Sequence, residues 1–526
     1  MEFNRRLDIM IFITNAYPAN NYKVGFKGQT QNSTQTQQPT QKNAKTSIFY
    51  VNDLHGNMAN MSRIYNAKQC FDKQRPQDHD VLLLGSGDIS AGANVKLLKI
   101  SNAFLNAMGV LGTAIGNHEF DANPDEIAQM HKSANYKLMG ANVQLKGENH
   151  PLEGQITKSF IHESNGNKYG IIGLIPPDLH ERIRENESRN TVFPLSKEDS
   201  INAVQTEADK LKEQGVNKII VVSHCGYEFD KSLAKNTSGV DVILGAHTHE
   251  LIKDINSDKN LFTSKTGEPV ILTQAGKDGD QFGILNLEFS EDGIIQKAQN
   301  NIHASNKFKR NPVLEKIFDG IIGKATEVGY VAKTVPAPQD RLVDPNPHAY
   351  LIMDACRGEF GTDLALINAG NIRGHFDEGK LTERKVFEVV PLKNRMVRMR
   401  LTEEEVVNAL KNGAKSLINP GHKPSIVMPS GLEYTMNRKG EVLDATFIDN
   451  KGQKHSIDVN NPRKDKIYTV ATDDFFASGG DKLIPNKLHE IDERYEFDKD
   501  KLTCDYIKKS GKPVVLQDDG RIKIVD

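Results

Sequence analysis

An α/β domain followed by an α+β domain is the fold class that the 526-residue sequence predicts, on three observations. From Ser47 onward, short apolar runs alternate with segments of helical patterning, as strands buried in a layered sheet do. Most of those runs end in a polar or glycine-rich turn, and ligands of open α/β sheets bind beyond the carboxyl ends of the strands. Past residue 335 the order changes to a helix, a strand and several strand-like runs joined by turns such as Arg438-Lys439-Gly440, which reads as α+β. The length allows two to four domains at about 100–200 residues each.

Taken in order, the chain opens on a stretch with little to bury. Between Gly28 and Lys45 the composition narrows to Gln, Thr, Asn and Ser, so residues 1–46 are expected to form a mobile tail. Within it Arg5-Arg6 precede Ile9-Met10-Ile11-Phe12-Ile13, the basic and apolar parts of a weak export signal, interrupted by Asp8 and without a clear cleavage site. Ile48-Phe49-Tyr50-Val51 is the first strand and runs into Asn52-Asp53-Leu54-His55-Gly56. A helical stretch leads to Val81-Leu82-Leu83-Leu84 and then Gly85-Ser86-Gly87-Asp88. A helix around Val95–Met108 precedes the run Val110 to Ile115, which emerges as Gly116-Asn117-His118-Glu119-Phe120-Asp121. Later strands are Tyr169–Leu174, Lys218–Ser223 ending at His224, Val240–Leu244 ending in Gly245-Ala246-His247-Thr248-His249, and Val270–Thr273. An amphipathic helix from Pro312, followed by Val335-Pro336-Ala337-Pro338, marks a boundary: a first domain over 47–311, a linker over 312–335 and a second domain over 336–526.

Composition excludes several classes of function. With 67 Lys+Arg against 69 Asp+Glu the formal net charge is −2, so no global field draws a nucleic-acid polymer or an anionic membrane. An anionic substrate must then be held by local positive charge. No apolar run reaches the roughly 20 residues of a membrane helix. Cys70, Cys225, Cys356 and Cys504 lie far apart and form no CxxC pair, which argues against a disulfide framework and a thiolate metal site.

The strand-end residues Asp53, His55, Asp88, Asn117, His224, His247 and His249 form a set of oxygen and nitrogen donors that includes a carboxylate able to bridge. Such a set suits two divalent ions about 3.5–4 Å apart and the hydrolysis of phosphate esters. Taken singly each has a plainer explanation: Asp88 as a helix cap, His224 as an ordinary satisfied histidine. As a series, Asp53-x-His55-Gly56, Gly87-Asp88, Gly116-Asn117-His118-Glu119-Phe120-Asp121, His224 and Gly245-x-His247-x-His249 resemble the metallophosphoesterase motifs in order and approximate spacing. Together with Asn368-Ala369-Gly370-Asn371-Ile372-Arg373 and Ala477-Ser478-Gly479-Gly480-Asp481, the chain resembles the 5′-nucleotidase family over about residues 47–500.

The resemblance implies a four-layer metallophosphoesterase β-sandwich flanked by helices, joined by a hinge helix to a C-terminal α+β substrate-binding domain. It implies one metal on Asp53, His55, Asp88 and His249, and a second on Asp88, Asn117, His224 and His247. It also implies a dyad in which Asp121 orients His118, and His118 stabilises the phosphate or assists the leaving oxygen. Glu119 is expected to be structural. With His, Asp and Asn donors and no Cys, the site would take zinc, manganese or iron, with zinc and manganese the leading pair. In the second domain the resemblance implies phosphate and ribose contacts from Asn368 and Arg373, a phosphate contact from Arg341, a base-stacking ring at Phe475 and a ribose contact at Asp481. The chain departs from the family at Leu392, where a second stacking aromatic is expected, and lacks an arginine that some relatives carry upstream of Arg341. A periplasmic, extracellular or cell-surface location is implied as well.

Three readings follow. The first is a nucleotidase releasing phosphate from nucleoside monophosphates. The second keeps the metal chemistry and changes the substrate to a 2′,3′-cyclic nucleotide, a 3′-nucleotide or a UDP-sugar, as the departure at Leu392 suggests. The third is a non-catalytic surface binding protein on the same scaffold, which an intact donor set argues against.

Overall fold

The computed structural model describes residues 43–526 except 93, 184–185, 257–258, 324–325, 420–423 and 495–497. The export-like stretch at Arg5 to Ile13 and nearly all of the expected tail lie outside the described residues. Ordered backbone begins earlier than the expected Ser47, because the strand Ala44–Val51 pairs from Ala44 with Phe289. Ladder hydrogen bonds do not depend on side-chain polarity, and Thr46 is accommodated by a 2.7 Å hydrogen bond to the Tyr169 hydroxyl. The described chain divides into two compact units: residues up to Ala91 with Val95–Phe318, and Gly92–Asn94 with Asp319–Asp526.

The first unit contains two facing sheets. One runs in the order Ile295–Ala304, Gln281–Phe289, Ala44–Val51, Asp80–Gly85, Gly112–Ala114, Lys137–Met139, Ile156–Thr157. The other runs Leu261–Thr263, Pro269–Thr273, Val242–Leu244, Ile219–Ser223, Asn167–Leu174, Ser159–Ser164. Strand alternation fills the space between them with Ile48, Tyr50, Leu82 and Leu84 from one sheet and Ile171, Ile220, Val222 and Leu244 from the other. Tyr50 spans this layer, its hydroxyl reaching Thr273 Oγ1 at 2.6 Å and Asn300 Oδ1 at 2.9 Å. Its ring lies where a Cβ of Gly283 would stand, so only glycine fits opposite it. On the outer face of the second sheet pack Val204, Ala208 and Leu211 of the helix Lys197–Glu213, and Phe229 and Leu233 of Tyr227–Asn236. Phe71 of the helix Met58–Gln74 meets Phe49 on the outer face of the first. The unit is the four-layer sandwich that the resemblance implies. Its central strands are parallel and place their carboxyl ends on one edge.

The second unit is α+β. A five-stranded sheet, Val427–Ser430, Leu364–Asn368, Ile467–Asp473, Met396–Thr402, Ile491–Arg494, adjoins a four-stranded one built on Leu432–Asn437 and Val442–Ile448. The helices Pro347–Phe360, Glu403–Ala414 and Lys499–Ser510 contribute to one core with these strands. Of the expected linker, Pro312–Ile322 is helix and Glu327–Val331 is a strand paired with Gly379–Thr382.

His348, near the start of Pro347–Phe360, is fully buried, with Nδ1 accepting the Phe376 amide proton at 3.2 Å. Burial, aided by the positive charge of His375 and Lys385, pulls it from 6.5 to about 4. The unfolded chain therefore takes up a proton below about 6.5 that the folded chain refuses until about 4. Stability from this group is full above 6.5 and is lost as pH falls through 4, about 3 kcal/mol in all. Urea unfolding followed from pH 7 down to 4.5 is expected to show that slope, and His348→Asn to lose this share of it.

Candidate metal centre

The parallel strands deliver their polar ends to one place. Asp53 and His55 follow Ala44–Val51, Asp88 follows Asp80–Gly85, His224 follows Ile219–Ser223, and His247 and His249 follow Val242–Leu244. Five of these, Asp53, His55, Asp88, His247 and His249, sit at positive φ between 49° and 76°. Outside glycine that region is sparsely used and strained, and such strain gathers at functional sites. Backbone pairing holds these turns: the Asp53 amide donates to Gly87 O at 3.0 Å and the His55 amide to Asp88 O at 2.9 Å.

Two buried carboxylates form the centre. Asp53 Oδ1 lies 3.5 Å from His249 Nε2 and 4.0 Å from both His55 Nε2 and His224 Nε2. Asp88 Oδ2 lies 3.2 Å from His224 Nε2 and 3.6 Å from His55 Nε2, and Asp88 Oδ1 accepts the His118 amide proton at 2.8 Å. Three overlapping triads result, Asp53–His55–His249, Asp53–Asp88–His224 and His55–Asp88–His118, each with its ligand atoms within 4.8 Å of one another. His224 donates from Nδ1 to Ser86 O at 2.7 Å, which leaves its buried Nε2 turned to the carboxylates without a hydrogen bond. Asn117 Oδ1 is likewise buried without a hydrogen-bond partner. A buried acceptor left so is costly unless something else satisfies it. The donor set therefore fits hard or borderline divalent cations.

Electrostatics agree. Burial pushes the Asp88 carboxyl up, but His224 and His118 more than offset it and hold it well below the usual range. Asp53 is held low in the same way by His249, His224 and His55, against its burial. Burial opposes a charge on His224, yet Asp88 and Asp53 raise it to about 10. The carboxylate pair thus draws positive charge to this point.

His118 Nδ1 and Asp121 Oδ2, the pair for which the resemblance implies a dyad, are 2.7 Å apart, and the His118 ring stands perpendicular to His55 at 5.3 Å. Glu119 is structural: it accepts amide protons from Asp88 at 3.0 Å, Ser90 at 2.8 Å and Gly116 at 2.8 Å, tying two ligand turns together. His247 is in the neighbourhood, its ring 5.0 Å from that of His224 and its amide donating to Asp53, but its Nε2 faces Asp178 Oδ1 at 3.3 Å. Asp178 and Asp278, the latter 2.9 Å from His55 Nδ1, are site residues that sequence reasoning missed. Asp278 lies in Lys277-Asp278-Gly279-Asp280, just beyond the strand Pro269–Thr273, so the strand-end rule extended by one strand finds it.

In the second unit Asn368 donates to Asp481 Oδ2 at 2.9 Å and accepts from Asn371 at 2.5 Å, while Arg341 donates to Gly370 O at 3.4 Å. Arg373 follows this turn, its amide donating to Val389 O at 2.8 Å. Phe476 is fully buried in the core, which leaves the partly exposed Phe475 as the ring available to a ligand. Asp473 caps the short helix carrying it by accepting from the Phe476 amide at 2.9 Å, and is itself held by the buried Lys499 at 3.0 Å. Leu392 is partly buried, and Lys393 forms an exposed ion pair with Asp498 at 3.2 Å.

A model of calcineurin-like phosphoesterases matches residues 46–251, and a model of the 5′-nucleotidase C-terminal domain matches residues 322–486. The chain is 25% identical to the trifunctional nucleotide phosphoesterase protein YfkN of Bacillus subtilis over 91% of its own length and 35% of that protein's. It is 26% identical to the 5′-nucleotidase of Rattus norvegicus, covering 92% of this chain and 91% of the other. Among solved structures, the 5′-nucleotidase precursor of Thermus thermophilus shares the fold with a TM-score of 0.72 at 24% identity, covering 92% of this chain and 99% of that one. The two models fall in succession, one on each unit, and the chain belongs to the 5′-nucleotidase family: it is a metallophosphoesterase, a hydrolase of phosphoric ester bonds.

Proposed function

We propose that the protein releases phosphate from nucleoside 5′-monophosphates at a dinuclear metal centre. The observation that carries this reading is the convergence of Asp53, His55, Asp88, His224 and His249 beside the His118–Asp121 dyad. One divalent ion, zinc or manganese, would be held by Asp53, His55, Asp88 and His249, and a second by Asp88, Asn117, His224 and His247. Bound there, the ions would supply a water of lowered pKa and positive charge against the phosphate oxygens.

The chain's own groups do the rest. Asp121 accepts the Nδ1 proton of His118 and fixes the ring, so Nε2 is the nitrogen presented to the phosphate and the leaving oxygen. Asp53 and Asp88 are themselves buried, so their charges act with little screening by solvent. In the second unit, Arg341 and Arg373 suit phosphate oxygens through their planar forks, Asn368 and Asp481 suit ribose hydroxyls, and Phe475 suits one face of the base. We also place the protein in the periplasm or at the cell surface, on family resemblance; cell fractionation tests this, and recovery in the cytoplasm would reject it. No helix among the described residues is long and apolar enough to cross a membrane.

A second reading rests on Leu392, which leaves one face of the base without the expected ring. Loss of a stacking face costs about 1–3 kcal/mol, which would open the site to 2′,3′-cyclic nucleotides, 3′-nucleotides or UDP-sugars. A panel of AMP, UMP, 3′-AMP, 2′,3′-cyclic AMP and UDP-glucose with manganese or zinc separates the two. Preference for the 5′-monophosphates supports the first reading, and preference for 2′,3′-cyclic AMP, 3′-AMP or UDP-glucose the second.

Phe475 offers its own test. A Cβ at Gly480 would stand 2.5 Å from the Phe475 ring and from its carbonyl oxygen. Gly480→Ala should therefore displace the ring and raise KM for AMP by about 5- to 150-fold, the equivalent of about 1–3 kcal/mol of stacking. β-Glycerophosphate, which has no base, should be hydrolysed as before.

A further inference from the structure

We propose that Asp278 is a positioning residue for the metal centre: by accepting the Nδ1 proton of His55 it fixes the tautomer of that ring and tightens the hold of the site on divalent cations. The inference rests on the metal reading above. Asp278 and His55 are 223 residues apart in sequence, and their contact of 2.9 Å is closed off from solvent, with side chains 14% and 3% exposed. An ionised carboxylate can only accept, so the bond requires Nδ1 to carry the proton and leaves the lone pair on Nε2. That Nε2 is the atom turned to Asp88 Oδ2 at 3.6 Å and Asp53 Oδ1 at 4.0 Å, where a cation would be shared. A carboxylate behind a histidine ligand also makes the ring a stronger donor.

The backbone shows that the side chain is what this position supplies. Asp278 sits at φ +56°, and its neighbours Gly276 and Gly279 also sit at positive φ. The turn thus uses glycine at two left-handed positions and an aspartate at the third, where glycine would be more at ease. The aspartate is anchored on both sides: its amide donates to Asp53 O at 2.6 Å and its carbonyl accepts from Asn60 Nδ2 at 3.0 Å. Asn60 also donates to Asp280 Oδ1 at 3.1 Å, which ties the turn to the helix Met58–Gln74 and holds the Asp278 carboxylate against His55.

Asp278→Gly separates the two roles, because it relaxes the backbone while removing the carboxylate. In the metal-stripped full chain its melting temperature should equal or exceed the wild type's, while zinc affinity, measured by competition with a chelator, should fall about 10- to 100-fold. Asp278→Asn keeps a neutral acceptor and should fall between. Long-range 1H–15N spectra of the metal-stripped protein, with His55 assigned by its loss in His55→Asn, should show His55 protonated on Nδ1 in the wild type and as a tautomer mixture in Asp278→Gly. Unchanged zinc affinity and an unchanged tautomer in Asp278→Gly would overturn the inference. A wild type that binds no zinc or manganese would overturn the metal reading itself, and this inference with it.

Discussion

Asp88→Asn is expected to reduce phosphate release on the order of 10³-fold or more, and to lower bound metal to at most one ion per chain. The lower bound follows from comparison, since loss of a mere outer partner of a ligand costs roughly 10- to 100-fold. Asp88 is the carboxylate nearer to both His55 and His224, within 3.6 and 3.2 Å where Asp53 stands 4.0 Å from each, so its charge is the larger influence at that point. Asparagine keeps the oxygen that accepts the His118 amide proton, so the turn should survive the change. In the metal-stripped protein the same substitution takes from His224 the first of the charges that raise it to about 10, so its titration there should move downward. Metal analysis together with phosphate-release kinetics checks the claim; a variant that retains two ions and near-normal rates would contradict it.

His118→Ala is expected to lower kcat by about 10²- to 10⁴-fold, the range for loss of a positioned acid or base. Metal content should be unchanged, because His118 lies outside the two proposed ligand sets and is tied to Asp121 at 2.7 Å. The leaving group then distinguishes its two possible tasks. If His118 protonates the leaving oxygen, the defect should shrink for p-nitrophenyl phosphate, whose leaving group needs no proton. If it stabilises the phosphate, the defect should be the same for both esters. Asp121→Asn, which keeps the ring and loses the fixed orientation, should show a smaller defect than the alanine variant.

Much of this centre was legible in the chain because each donor ends an apolar strand. Val81-Leu82-Leu83-Leu84 before Gly85-Ser86-Gly87-Asp88 marks a buried strand and the point where it leaves the sheet, and parallel strands bring such points to one edge. What local pattern does not encode is which way a turn aims its side chain. The left-handed backbone at Asp53, His55 and Asp88 is set by pairing between turns more than 30 residues apart in sequence, such as His55 with Asp88. Asp178 and Asp278 escaped for the same reason: each meets its histidine across a long sequence separation, and an aspartate in a turn reads as a turn residue. Glu119 was legible as structural only by family resemblance; its three amide partners explain why that position needs a carboxylate. In the second unit Phe475 and Phe476 are indistinguishable in sequence, and only packing assigns one to the core and leaves the other available.

The most direct test of a dinuclear phosphoesterase is a stoichiometric metal titration of the stripped protein with zinc or manganese, following phosphate release from AMP. The expected result is no release without metal and a plateau at about two ions per chain. Release at full rate from the stripped protein, or a plateau at one ion, would contradict it.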